Sequence, residues 1–292
     1  MQPLSSVGDY RFILPAPELR RYFSSYYFVE IATPGGIELD DLLYPEWASA
    51  RFMLEGMIPA SMVPDPVVPV PRASMTGPTG RACHVRCSFA RMAGIGILPL
   101  GWNRFVGESA HLYADAVFDV ETEPAFGIFG AIWRDIAGLR DHREIADVFD
   151  RHLLAALGPE DDREDEIERV HAALADPEIT DVGQLAERLG LNSQYVERLC
   201  RRIFGFPPKR LLRRQRFLRS LAPRIFDPAL KWVKVLDASY HHQAHFSRDF
   251  RDFMGMSPRA FLDMPRPISK AALRARAEAL GQPLQVLQGP TG

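Results

Sequence analysis

The spacing of apolar residues divides the chain into two textures. Up to about residue 140, short apolar or alternating runs are separated by Pro, Gly and Asp: Tyr26–Ile31, Ala50–Leu54, His84–Phe89, Ala93–Leu98 and Ala116–Val120. Runs of this length and composition predict strands. Helical breaks are expected at Glu18–Tyr26 and Gly101–Phe105. The stretch Pro59–Pro71 is a loop or a sheet edge, because its prolines remove backbone donors. This part reads as a small, mainly β domain, a barrel or a sandwich.

Beyond residue 140 the period lengthens to three and four. Ile145, Val148, Phe149, His152, Leu153 and Ala156 form one stripe of a helix over Asp141–Leu157. That face must bury against its own domain or against a second copy. Residues 158–166 (GPEDDREDE) are polar and begin with a helix-breaking Gly-Pro, so a domain boundary falls there. A helix over Glu164–Ala175 follows, its early carboxylates suited to the positive end of the helix dipole.

Two short helical pairs come next. In the first, Gly190 ends one helix as a positive-φ glycine does, and Asn192 caps the next. Val196, Leu199, Cys200 and Ile203 then make an apolar back, opposite Gln194, Glu197, Arg198 and Arg201. A helix from Pro208 to Leu221 links the pairs, with Pro tolerated at its first position. At 1.5 Å per residue it spans about 21 Å. The second pair starts near Lys231 and turns at Ala238-Ser239-Tyr240. Its second helix, Gln243–Met254, buries Phe246, Phe250 and Phe253 and shows Gln243, Ser247, Arg248 and Arg251. Beyond Met264, Ser269–Leu280 predicts an amphipathic helix, and Gly281–Gly292 a loose tail.

A helix pair with a tight turn and an Arg/Gln front is the plan of a helix-turn-helix. Arg suits the O6/N7 edge of guanine and Gln the N6/N7 edge of adenine. One such helix alone is as readily an ordinary amphipathic helix with a solvated face; two in tandem favour DNA.

The segment from about Glu164 to Leu262 resembles the DNA-binding domain of AraC/XylS-type transcriptional regulators. The resemblance rests on LAERLGL (185–191), GFPPKRLL (205–212), QAHFSRDF (243–250) and GMSPRAFL (255–262). It covers about a third of the chain and implies two helix-turn-helix units joined by a long helix. It places base reading on Gln194, Glu197 and Arg198 in the first unit, and on Gln243, Ala244, Ser247 and Arg248 in the second. Three departures fall in the second unit. Ser239 stands at a turn usually held by glycine, His242 at a usual Asp/Asn cap, and Lys234-Val235 at an apolar-Ala step. The first unit is therefore expected to read more bases. In the N-terminal part, GIGILPLGWNRF (94–105) and YPEW (44–47) resemble uncharacterised sensor domains attached to such regulators, which names no ligand.

Charge sharpens this picture. The net charge is −2 over 292 residues. From Pro177 to Leu262 there are 16 Lys/Arg against 8 Asp/Glu, and from Asp141 to Asp176 only 4 against 12. A positive excess confined to the helical pairs suits a phosphate-binding surface. Arg201, Arg202, Lys209, Arg210, Arg213 and Arg214 supply most of it, although at least half of them are expected to be simply solvated. No apolar run approaches the roughly 20 residues of a membrane span. The first residues lack the pattern of an export signal, and three cysteines are too few for a disulfide framework. A cytoplasmic location is expected.

Enzymatic chemistry finds little support. No His-x-His pair is present, and His84 and His111 stand alone. Along a strand, Cys83 and Cys87 are about 13 Å apart at 3.3 Å per residue, too far for a disulfide or a chelate. They and Cys200 read as buried filler. Tyr44, Trp47 and Trp102 (with Phe105) are candidates for lining a ligand cavity, and Arg86 and Arg104 for anchoring a ligand.

The expected architecture is therefore multidomain, α and β. Residues 1–158 form a β-rich, barrel-like (cupin-like) sensor or dimerisation domain with flanking helices. Residues 159–265 form an all-α double helix-turn-helix domain, and 266–292 a helix and tail. The expected function is sequence-specific regulation of transcription under a small-molecule effector. Duplex DNA, a second copy of the chain and RNA polymerase are the expected partners, and no cofactor or metal is expected. Two alternatives stay open: a constitutive regulator whose first domain only dimerises, and an enzyme with a DNA-binding appendage.

Overall fold

The computed structural model describes residues 8–227, 229–237, 240 and 243–290. The N-terminal part is built from nine strands: β1 (Gly8–Ile13), β2 (Phe23–Ala32), β3 (Leu39–Leu43), β4 (Ala48–Gly56), β5 (Ala60–Met62), β6 (Ala73–Thr76), β7 (Cys83–Cys87), β8 (Phe89–Ile97) and β9 (Val117–Asp119). They make two antiparallel sheets, one ordered β1-β2-β8-β4-β6-β9 and one ordered β3-β7-β5. The β-rich reading holds, in the form of two sheets. Strands β1, β3, β5 and β6 carry no clear apolar run of their own. The break expected at Glu18–Tyr26 shrinks to a single turn at Pro17–Leu19, and β2 already runs from Phe23.

The larger sheet is covered on one face by helices α1 (Pro99–Phe105), α2 (Gly127–Ile136) and α3 (His142–Ala156). Period 2 along the strands explains why. In β2, Tyr26 and Phe28 face the helices, and in β4 Phe52 does. Tyr26 meets Phe149 of α3 edge-on at 5.0 Å, and Phe52 stacks on Trp133 of α2 at 6.3 Å. The apolar stripe of α3 is thus spent on its own domain. Asp141 caps that helix, accepting from the N–H groups of Arg143 and Glu144.

The helical part comprises α4 (Glu164–Ala175), α5 (Val182–Leu189), α6 (Ser193–Phe204), α7 (Pro208–Phe226), α8 (Trp232–Val235), α9 (Gln243–Met254), α10 (Pro258–Asp263) and α11 (Pro267–Leu280). Gly190 has φ +67° at the end of α5, and Asn192 Oδ1 accepts from Tyr195 N–H at 2.8 Å at the start of α6. Both punctuation marks fall where their local chemistry puts them. Helix α7 runs one turn beyond the expected Leu221, and carries Pro223 within its last turns. The turn of the second unit, with Ser239 and His242, lies outside the described residues.

Two further departures matter for function. The segment after Met264 is docked: α11 packs on β1 and β3, and Leu284 and Val286 are buried. The helical part also packs closely on the β part. Ala82 N–H donates to Phe253 O of α9 at 2.6 Å. Arg214 of α7, fully buried, lies 4.1 Å from the ring centre of Trp47 and donates to Thr79 O at 2.7 Å.

Candidate DNA interface and effector cavity

The first recognition face lies on α6. Val196, Cys200, Ile203 and Phe204 are buried, which turns Gln194, Arg198, Arg201 and Arg202 to solvent. Glu197 is half-buried and ion-paired to Arg201 one turn on, at 2.9 Å. Arg198 rests beside the Tyr195 ring, whose hydroxyl donates to Glu166 at 2.8 Å, so α4 braces the start of α6. Lys209, at the start of α7, is exposed.

In the second unit Phe246, Phe250 and Phe253 are buried around Phe217 of α7. Ala244, Arg248 and Arg251 are exposed and Ser247 half-buried; the side chain of Gln243 lies outside the described set. Arg213, a phosphate candidate in the sequence, turns instead to the carboxylates of Asp249 (2.5 Å) and Asp252 (2.6 Å). Buried Asp249 also accepts from Arg216 at 3.1 Å and from the Tyr240 hydroxyl at 2.8 Å. This clamp fixes α9 against α7, and burial with the neighbouring Asp249 carboxylate pushes the Tyr240 hydroxyl pKa upward.

Between the two sheets lies a cavity of about 200 Å³ to which all nine strands contribute. Its floor, the larger sheet's other face, is graded in rows of paired residues. Val29, Met92 and Met53 form an apolar row. Tyr27, Gly94, Arg51 and Ser74 form the next, and Ser25, Gly96, Ser49 and Thr76 the polar end. Glycine is needed in these rows: a Cβ on Gly94 would fall 2.2 Å from the Tyr27 ring. Arg51 pairs with Glu46 and donates to Thr76 Oγ1 at 2.6 Å.

Arg276, reaching in from α11, donates to Ser25 Oγ and Gln288 Oε1, both at 2.9 Å. These partners are neutral, and burial lowers its pKa to about 10. Its Nε, the Tyr10 and Tyr27 hydroxyls and Gln285 Oε1 have no hydrogen-bond partner among the described residues. A buried cation with neutral partners and several unpaired polar atoms around it favours an anionic or strongly polar group.

Of the residues nominated as ligand contacts, Tyr44 lines the cavity and the others do not. Trp47 is buried among His171, Phe204 and Arg214, where it joins the two parts of the chain. Trp102 is core, its indole N–H donating to Glu108 O at 2.8 Å. Arg86 is spent on Asp40 at the surface, at 2.8 Å. Arg104 donates to Leu157 O at 2.7 Å and lies 3.5 Å from Glu164, which ties down the link into α4. Arg51, Tyr27, Arg276 and Gln285 escaped sequence reasoning. A signal did exist: polar residues alternate with buried apolar ones in the Ala48–Phe52 and Ala73–Thr76 runs, inside strands with no solvent face.

Comparison with known proteins agrees with the α6 and α9 geometry. Residues 185–264 match the family model described as a helix-turn-helix domain. No curated protein matches the chain significantly. Solved structures with similarity include ToxT from Vibrio cholerae, at 11% identity over 82% of this chain and 97% of that one, TM-score 0.43. ToxT with a bound unsaturated fatty acid matches at 12% identity over 78% and 95%, TM-score 0.39. The AraC-like transcriptional activator CuxR matches at 13% identity over 74% and 87%, TM-score 0.25. The chain thus carries a DNA-binding domain of the helix-turn-helix class. That domain spans residues 185–264, from within α5 to the end of α10.

Proposed function

We propose that this regulator reads duplex DNA chiefly through Gln194 and Arg198, and that its cavity holds a small effector with an apolar body and an anionic or strongly polar head. Supporting the DNA assignment is the exposure of both side chains on a helix whose back is wholly buried. Glu197 tunes the same face, while Arg201, Arg202 and Lys209 meet phosphate, which confers affinity and salt dependence. In the second unit Gln243, Ala244, Ser247, Arg248 and Arg251 extend the footprint. Arg213 serves the clamp within the domain. In the effector site, the Val29–Met92–Met53 row takes the apolar body, and Arg51, Tyr27 and Arg276 the head.

No helix among the described residues is long and apolar enough to cross a membrane. The reading places the protein in the cytoplasm as a homodimer acting on RNA polymerase. Selection of duplexes from a random pool, with the full chain and with a Gln194→Ala/Arg198→Ala variant, tests the DNA half. A shared motif that vanishes in the variant supports it; an unchanged motif overturns it. A metabolite screen by thermal shift tests the effector half, since a ligand of the folded state raises Tm.

A further inference from the structure

Resting on the reading of the cavity as an effector site, we propose that the C-terminal segment, residues 267–288, is part of that site. It forms one wall of the cavity, and its position reports occupancy to the DNA-binding domain. Ile268, Ala272, Leu273 and Arg276 of α11, with Leu284 and Gln285 beyond it, line one side of the cavity.

The segment is held by buried Ile268, Leu273, Leu284 and Val286 and by polar anchors at both ends. Asp41 of β3, fully buried, accepts from the Ile268 and Ser269 N–H groups at 2.7 and 2.8 Å and from Ser269 Oγ at 2.8 Å. This is a helix cap supplied by another element, and it fixes where α11 begins. At the far end, Gln285 Nε2 donates to Ser24 Oγ at 3.1 Å, beside the polar row. At the cavity wall, Arg276 Nε and Gln285 Oε1 have no hydrogen-bond partner among the described residues. A ligand head that accepts from Arg276 Nε supplies a partner which that atom lacks among the described residues, and so holds the segment to the sheet.

The same segment touches the helix that carries both helix-turn-helix units. Val286 O, next to Gln285, accepts from Gln215 Nε2 of α7 at 2.8 Å, and both groups are buried. A shift of Gln285 in the cavity therefore moves a hydrogen-bonded neighbour of α7. At its start the segment follows α10 directly, and Arg266 donates to the Tyr44 hydroxyl at 3.1 Å while lying 3.7 Å from the Phe261 ring centre. One element thus contacts the cavity and the DNA-binding domain at both of its ends.

The test uses the full chain and 8-anilinonaphthalene-1-sulfonate, an apolar anion, as probe. Binding is read by fluorescence titration, and its location by hydrogen–deuterium exchange. The expected result is saturable binding that slows exchange in residues 267–288 as well as in β2 and β4. Arg276→Ala weakens binding at least tenfold, and Arg276→Lys restores part of it. Asp41→Asn, at a residue that is not itself part of the cavity lining, loosens the cap and raises exchange of 267–288 in the free protein. Protection of β2 and β4 with no change in 267–288, or affinity of the Arg276→Ala variant within twofold of wild type, overturns the role of this segment and leaves the effector cavity standing. No saturable binding, or binding that leaves the cavity strands unprotected, overturns both.

Discussion

Burial of His171 of α4, at the junction between the β part and the helical part, predicts that acid destabilises this junction. Its ring meets Trp47 edge-on at 5.5 Å and Phe204 at 6.1 Å. Burial lowers its pKa from the usual 6.5 to about 4, opposed by a hydrogen bond to the Gln288 backbone and aided by the like charge of Arg214. In the unfolded chain the imidazole titrates near 6.5. Between these two values unfolding takes up a proton, so stability rises with pH across the window and is lost on acidification. A shift of that size corresponds to about 3 kcal/mol lost by pH 4, at about 1.4 kcal/mol per pH unit. Carboxylates titrate over part of the same range, so the informative quantity is the difference between wild type and His171→Leu. Urea unfolding followed by tryptophan fluorescence, at half-unit steps from pH 7.5 to 4.5, gives it. The wild-type stability curve should fall more steeply than the variant's by about one proton's worth, about 1.4 kcal/mol per pH unit, below pH 6.5. Parallel curves would refute the claim that this ring is held neutral at the junction.

The remaining expectations concern the recognition face, the clamp and the cavity. Arg198→Ala should lower affinity for the selected DNA by about 1–3 kcal/mol, read by gel shift, while Lys209→Ala weakens all duplexes alike and reduces the salt slope by about one. Asn192→Ala removes the α6 cap and should cost about 1 kcal/mol in denaturant unfolding. Asp249→Ala leaves Arg213, Arg216 and the Tyr240 hydroxyl without their shared acceptor. A loss of about 3 kcal/mol is expected, low in the usual range because both arginines keep some contact with solvent; an unchanged Tm would remove the clamp from the account. Gly94→Ala forces the Tyr27 ring off the sheet and into the cavity, so it should weaken binding of the sulfonate probe while leaving DNA affinity without probe unchanged.

The first helix-turn-helix unit and the helix α9 of the second were legible in the sequence because their determinants are local. Gly190 and Asn192 mark a turn by their own backbone chemistry, and the apolar backs of α6 and α9 lie within single helices. The cavity was not legible in this way. Tyr27, Gly94, Arg51 and Ser74 become neighbours only through strand register, which no short window contains. Aromatic residues were the natural guide to a pocket, yet Trp47 and Trp102 are large enough to be worth more as core than as lining. The tail misled for a related reason. Its apolar residues are sparse, Arg276 resembles a solvated charge, and its anchors Asp41 and Ser24 lie more than two hundred residues away. Arg213 likewise looked like a phosphate contact because its carboxylate partners are on another helix.

The position of α11 in the chain also dictates an order of assembly. The strands that bracket the cavity are made first, but the wall that completes it leaves the ribosome only after both helix-turn-helix units. Until then the nascent protein carries an open trough lined at one end by Val29, Met53 and Met92. Transiently exposed apolar surface of this kind promotes aggregation and recruits chaperones. A fragment ending near residue 158 would keep that trough permanently uncovered. Expressed alone, it should be poorly soluble however well its strands pair, and supplying residues 267–290 as a separate peptide should restore its solubility.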